Sequence, residues 1–177
     1  TSAANGSYSI KVNQLAQAQQ LGSTSMTDPT TTIKTGTVQL KVGAGAATTI
    51  TIDSSNNTVQ GLAQAINDTN GDVRASVVGD GSGYRVLLTS TKTGSANTIS
   101  VTNNLTGGTG SSIDLTDRTV QVATDAQITV GSGAGAITVS NSTNRIDGVI
   151  AGVTLNLNKV DTSKTVNLTV GADTSTA

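Results

Sequence analysis

Alternating runs of Val, Ile, Leu and Thr, each closed by glycine, constrain this chain more than any other feature. Val38-Gln39-Leu40-Lys41-Val42 alternates apolar and polar residues, Gly43-Ala44-Gly45-Ala46 interrupts, and Ile50-Thr51-Ile52 resumes the alternation. A period of two puts every second side chain on one face, and β-branched residues suit a pleated, half-buried surface, so the pattern predicts a hairpin. Residues 73–78 and 84–89, joined by Gly79-Asp80-Gly81-Ser82-Gly83, predict another, and Ile99 with Val101 predicts one further short strand. A single stretch follows a different period. Across residues 58–69, Val59, Leu62, Ala63 and Ile66 recur at helical spacing. That predicts a short amphipathic helix, capped by Asn57 or Thr58 and stopped by a left-handed turn at Asn70-Gly71.

Upstream, Tyr8, Ile10, Val12, Gln14, Ala16 and Ala18 alternate with polar neighbours, which predicts one strand over residues 7–20. Residues 22–35 read as a Ser/Thr-rich connection around Asp28-Pro29, and residues 103–112 as a Gly-rich stretch without regular structure. Then the text recurs. Gln39-Leu40-Lys41-Val42-Gly43-Ala44-Gly45 resembles Gln127-Ile128-Thr129-Val130-Gly131-Ser132-Gly133, and Asn57-Thr58-Val59-Gln60-Gly61-Leu62 resembles Asn144-Arg145-Ile146-Asp147-Gly148-Val149. The second copy should carry a weaker helix, interrupted by Asp147-Gly148 and Gly152. A closing hairpin is expected to run from residues 153–157 to residues 166–170. Two copies are too few for a solenoid. The expected fold is mainly β, α+β only through short helices, with two small antiparallel β domains, one inserted in the other. Residues 1–35 with 118–177 would form the discontinuous domain, and residues 36–117 the inserted one with the single clear helix.

Composition limits the chemistry. The chain has no His, Cys, Trp, Phe or Glu, which removes the commonest general base, thiol nucleophiles, disulfides and Cys-ligated metals. With 1% aromatic residues, the core must be built from Val, Ile, Leu and Ala. Ten basic against eleven acidic residues leave no electrostatic footprint for nucleic acid or an anionic membrane. The chain opens on Thr1. It has no run of about 18 apolar residues, so a processed or excised segment without a retained membrane anchor is expected. Asp68-Thr69-Asn70-Gly71-Asp72 has the flavour of a calcium loop, but that motif needs Gly at its sixth position and Glu at its twelfth, where Val73 and Gly79 stand. Gly43-Ala44-Gly45 and Gly131-Ser132-Gly133-Ala134-Gly135 are followed by alternating strands rather than helices, so they read as turns and not as phosphate cradles. Tyr8 and Tyr84 read as sheet-packing residues. No catalytic, cofactor-binding or metal-ligating residue is assigned, and an enzyme is not expected.

Three segments, in order, carry a resemblance. Residues 8–21, YSIKVNQLAQAQQL, resemble the segment that leaves the N-terminal helical region in the hook-associated protein 2 family of flagellar filament caps. Asn57-Thr-Val-Gln-Gly-Leu-Ala-Gln-Ala-Ile-Asn67 with Gly83-Tyr-Arg-Val-Leu-Leu-Thr-Ser90 resembles the flagellin hook-IN repeat. Asp125-Ala-Gln-Ile-Thr-Val130, followed by the stretch from Ile146 to Leu157, resembles the next head segment of the same family. The resemblance implies a head-domain fragment of an extracellular structural subunit of the bacterial flagellum, acting in motility. Its partners would be its own copies and exported flagellin, which the cap helps to fold and insert. Two other readings stay open: a bacterial surface adhesin or glycan-binding module, with host glycans or mucin as partners, and the variable domain of a flagellin or hook–filament junction protein. With one Met, two Tyr and four Arg (Arg74, Arg85, Arg118, Arg145) scattered along the sequence, strong self-association is not expected. The isolated chain should be monomeric at micromolar concentration.

Overall fold

Val38, Leu40 and Val42 are buried while Gln39 and Lys41 between them are exposed, so the alternation read from the sequence is the alternation of core and solvent. The computed structural model describes residues 5–171. Its elements are β1 (Gly6–Gln14), β2 (Ala18–Gly22), β3 (Thr35–Val42), β4 (Thr48–Ile52), α1 (Val59–Asp68), β5 (Val73–Gly79), β6 (Tyr84–Thr93) and β7 (Ile99–Gly107). There follow β8 (Arg118–Gln121), β9 (Ala126–Val130), β10 (Ile137–Asn141), β11 (Arg145–Ile150), β12 (Val153–Asn156) and β13 (Val166–Val170). The chain divides into two compact units. One is Ala18–Ala123, and the other is drawn from the chain up to Gln17 and from Thr124 onward. Each has its own apolar cluster of aliphatic side chains.

The continuous unit, Ala18–Ala123, holds two antiparallel sheets, in the orders β5-β6-β2-β8 and β4-β3-β7. Helix α1 closes over the core with Val59, Leu62, Ala63 and Ile66, which pack among Val73, Val86 and Leu88. Its start is fixed by Thr58, whose Oγ1 accepts from the Gly61 amide at 2.9 Å, satisfying one of the helix's orphan donors. Its stop is Asn70, the only non-glycine residue with positive φ (50°) among the described residues. Asn67, near the C-terminal end of α1, is bonded both ways to the backbone of Ala75, its Nδ2 donating and its Oδ1 accepting at 2.8 Å each, so one amide docks the helix on β5.

Several expectations are corrected in this unit. The single strand expected over residues 7–20 breaks after Gln14, and β2 leaves to pair with β6 (Leu21↔Leu88) and β8 (Leu21↔Thr119). The Ala18–Ala123 unit therefore includes residues 18–35 and 118–123, expected from the sequence in the discontinuous domain. The supposed loose connection over 22–35 is built into the core: Ile33 and Ser23 are fully buried, and the Ile33 amide donates to the Asn57 carbonyl. Residues 103–107, expected to lack structure, continue β7 because β3 offers a partner along its whole length, and Leu105 is buried there. Gly36 makes that pairing possible. Its φ is +143°, and a Cβ would lie 2.2 Å from the Asn104 carbonyl oxygen.

The discontinuous unit has a sheet in the order β10-β9-β1-β13 and a separate two-stranded ribbon, β11-β12. Here the hairpin β9–β10 matches the sequence expectation, with Gly131 (φ 90°) and Gly133 (φ 73°) in the turn. The weak second helix does not exist. Residues 145–150 form β11, because Gly148 (φ 79°) bends the chain out of helical conformation and Ile146 pairs with Leu155 of β12. The closing hairpin of residues 153–157 with 166–170 is likewise absent. β12 is taken by β11, and β13 completes the free edge of β1 (Tyr8↔Leu168). Arg145, expected at a helix start, therefore lies on a strand and pairs with Asp147 at 3.2 Å.

Candidate interaction surface

The calcium-like stretch and the glycine-rich segments lie at a helix end and in turns. Asp68 ends α1, Asn70 makes the left-handed stop, and the Asp72 carboxylate is held by Lys92 Nζ at 2.6 Å. Gly43 (φ 54°) turns β3 into β4, with the Gly45 amide donating to the Val42 carbonyl. Tyr8 packs against the core of its unit, while Tyr84 is partly exposed and bridges by backbone to Met26. Among the described residues no three acidic side chains converge as a cation site would need.

What the fold does assemble is a surface on the Ala18–Ala123 unit. In the β5-β6-β2-β8 sheet, Ala75, Val86 and Leu88 point into the core, so Val78, Arg85, Leu87, Arg118 and Val120 share the opposite face. Val78 is 44% exposed, Val120 53% and Val122, just beyond β8, 60%. Gly22, Val78, Asp80, Arg85, Leu87, Arg118 and Val120 line a depression of about 220 Å³. Gly22 is needed there: a Cβ would stand 2.9 Å from Arg118 Cγ and 3.4 Å from Val120 Cγ2, so a side chain would fill the floor. The register of β8 shifts against β2 between Gln20 and Leu21, leaving Val120 without a partner position and turning it outward, as a bulge does.

One wall is an ion network. Arg85 Nε donates to Asp80 Oδ2 at 2.8 Å, and its Nη1 donates to the Ser23 carbonyl at 2.6 Å and to Asp117 Oδ2 at 3.3 Å. Arg118 Nε reaches the same Asp117 oxygen at 3.3 Å, with its side chain 51% exposed. The Arg85 guanidinium, helped by the Ser82 hydroxyl and amide, holds the Asp80 carboxyl far below the usual carboxylate range. Beneath lies Ser23, fully buried, its Oγ accepting from the Val86 amide and donating to the Thr24 carbonyl. The sequence predicts a turn at Gly79–Gly83 and shows the arginines scattered. The structure confirms the turn and corrects the second point, because Arg85 and Arg118 meet over Asp117. The available signal was Arg118-Thr119-Val120-Gln121-Val122, an alternation with no indication of which face would be outside.

The family model described as the flagellar hook-associated protein 2 C-terminus matches residues 123–177. The B-type flagellar hook-associated protein 2 of Pseudomonas aeruginosa is 33% identical over 97% of this chain and 40% of that protein. The lateral flagellar hook-associated protein 2 of Vibrio parahaemolyticus is 34% identical over 97% of this chain and 41% of that protein. The chain thus spans about two fifths of the length of these curated relatives. Among solved structures, FliD (HAP2) from Pseudomonas aeruginosa superposes with a TM-score of 0.82 at 32% identity, covering 98% of this chain and 82% of that one. The D2-D3 domains of the Escherichia coli cap protein FliD give 0.79 at 29% identity, covering 97% and 91%. The glycan-binding reading gains no support from these relatives.

Proposed function

This chain belongs to the hook-associated protein 2 family of flagellar cap proteins, and from that premise we propose that it forms part of the cap at the tip of the extracellular flagellar filament, where it helps exported flagellin fold and insert. The observation that carries the reading is the extent of the likeness, which covers 98% of this chain at 32% identity to a FliD crystal structure. Its partners in that role are its own copies and flagellin. The surface supports it, because small aliphatic and hydroxyl side chains offer many weak contacts and few anchors, which suits a passing, folding chain better than a tight hot spot.

The division of labour is part of the proposal. The inserted body acts as a separable hook-IN-like domain, and the discontinuous body as the head domain that continues toward the filament. Gln17 and Thr124, the residues at the junction, are bonded to each other by backbone in both directions, N to O at 2.9 and 3.2 Å. Removing Ala18–Ala123 and closing the gap with an Asn-Gly turn therefore joins strands already in hairpin register. The test is complementation of a capless strain with the gene carrying this chain, whole or with that excision, reading filament length and flagellin lost to the medium. The whole gene is expected to restore filaments and stop the loss, and the excised gene to restore them partly. Failure of the whole gene to reduce flagellin loss refutes the proposal.

A further inference from the structure

We propose that the depression on the outer face of the β5-β6-β2-β8 sheet is a contact site between copies of this chain, filled by Val160 of a neighbouring copy while that copy's Asp161 meets Arg118. The inference rests on the cap reading in so far as it expects copies to associate. The site is small. Its volume of about 220 Å³ is below the roughly 300–1,000 Å³ of small-molecule sites, and leaves room for a branched aliphatic side chain. Its floor is Gly22 and Leu87, and its walls are Val78, Val120 and the stems of Arg85 and Arg118. Its rim carries both signs of charge, Arg118 against Asp80 and Asp117.

The chain itself offers a matching plug. In the discontinuous unit the exposed large aliphatic side chains, among the described residues, are Ile137, Val160 and Val166. Ile137 stands between Ala136 and Thr138, and Val166 between Thr165 and Asn167. Only Val160 adjoins a carboxylate, in Lys159-Val160-Asp161. Asp161 Oδ1 is taken up by the Ser163 amide and hydroxyl and the Lys164 amide, which fixes the loop and leaves Oδ2 for a guanidinium. Lys159 supplies the opposite charge for Asp80 or Asp117. The two charged rims are complementary in both signs, which sets orientation more than affinity. Plug and socket are different patches, so the contact is head-to-tail, the kind that builds rings or open chains and not closed pairs.

A single side chain in a shallow socket is a weak contact, with a dissociation constant of about 0.1–1 mM, in keeping with a monomer at micromolar concentration. Sedimentation velocity of the 177-residue chain should therefore show mass rising between about 10 μM and 1 mM. Arg118→Asp and Asp161→Arg are each expected to weaken association about fivefold or more. Their equimolar mixture should restore it, because the reversed plug of one then fits the reversed socket of the other. Val160→Ser leaves the Asp161 turn intact and should weaken association to a similar degree. A wild-type chain that stays monomeric at the top concentration, variants that associate like wild type, or a mixture without recovery would each overturn the proposal. In the capless strain, full rescue by the Arg118→Asp gene beside the wild-type gene sinks this contact and leaves the cap reading standing. Failure of the wild-type gene sinks the cap reading instead.

Discussion

Asn144→Ala tests how the discontinuous unit holds the break in its first strand. Ala16 lies past the end of β1, is 4% exposed, and has no strand neighbour to satisfy its backbone. The Asn144 amide does this instead: Ala16 N donates to Asn144 Oδ1 at 2.7 Å, and Asn144 Nδ2 donates to the Ala16 carbonyl at 3.0 Å. Truncation leaves a donor and an acceptor in a place where water reaches poorly, at about 1–3 kcal/mol for each group left unpaired. Partial access for water brings the sum to about 2–4 kcal/mol. A unit of this size has only about 4–10 kcal/mol in hand. The loss should lower the urea midpoint of this unit by about 2–4 M at a slope near 1 kcal/mol/M. Urea titration read by amide-exchange mass spectrometry follows the peptide around Ala16 separately from one around Leu88. The first should lose protection at lower urea and the second should hold. Asn156→Ala, an exposed position on β12, should shift neither by more than about 0.5 kcal/mol. A midpoint shift for Asn144→Ala no larger than for Asn156→Ala would refute the claim that one side-chain amide replaces a strand here.

Leu88→Ala removes a fully buried side chain at the centre of the larger core and should cost the Ala18–Ala123 unit about 2–5 kcal/mol in urea unfolding. Gly36→Ala drives a Cβ into the Asn104 carbonyl at a φ that L-residues avoid, so loss of amide protection along β3 and β7 is expected before any loss along β5 and β6. The acid response follows from Asp28, Asp53, Asp80, Asp114, Asp147 and Asp161, whose pKa values are all lowered, mainly by hydroxyl and amide donors on neighbouring residues and, for Asp80, by Arg85. A depressed folded pKa stabilises above the unfolded value of 3.8 and is lost as pH falls through the folded value. With no histidine to titrate, the thermal midpoint by circular dichroism should be flat from about pH 8 to pH 5 and fall below about pH 4. A step near pH 6 would contradict this.

The sequence by itself determined the local pairs. β3 with β4, β5 with β6 and β9 with β10 are each neighbours in the chain joined by glycine turns, and α1 carries its own cap and left-handed stop, so period and turn chemistry suffice. The family, too, was legible in the order of three segments. Where the chain could satisfy one pattern in two ways, tertiary structure decided. Ile146, Val149 and Ile150 have helical spacing, yet Gly148 and the waiting strand β12 make them a ribbon. β2, β8 and β13 are short strands whose partners lie far along the chain, and nothing local names those partners. The same holds for the surface. Arg118, Val120 and Val122 alternate as a buried strand would, but Leu21 and Leu88 already fill the core side of that sheet, so β8 keeps its apolar face outward and brings Arg118 to Arg85 across Asp117. A period of two says that a strand has two faces; only the packing of the rest of the chain says which one is left for a partner.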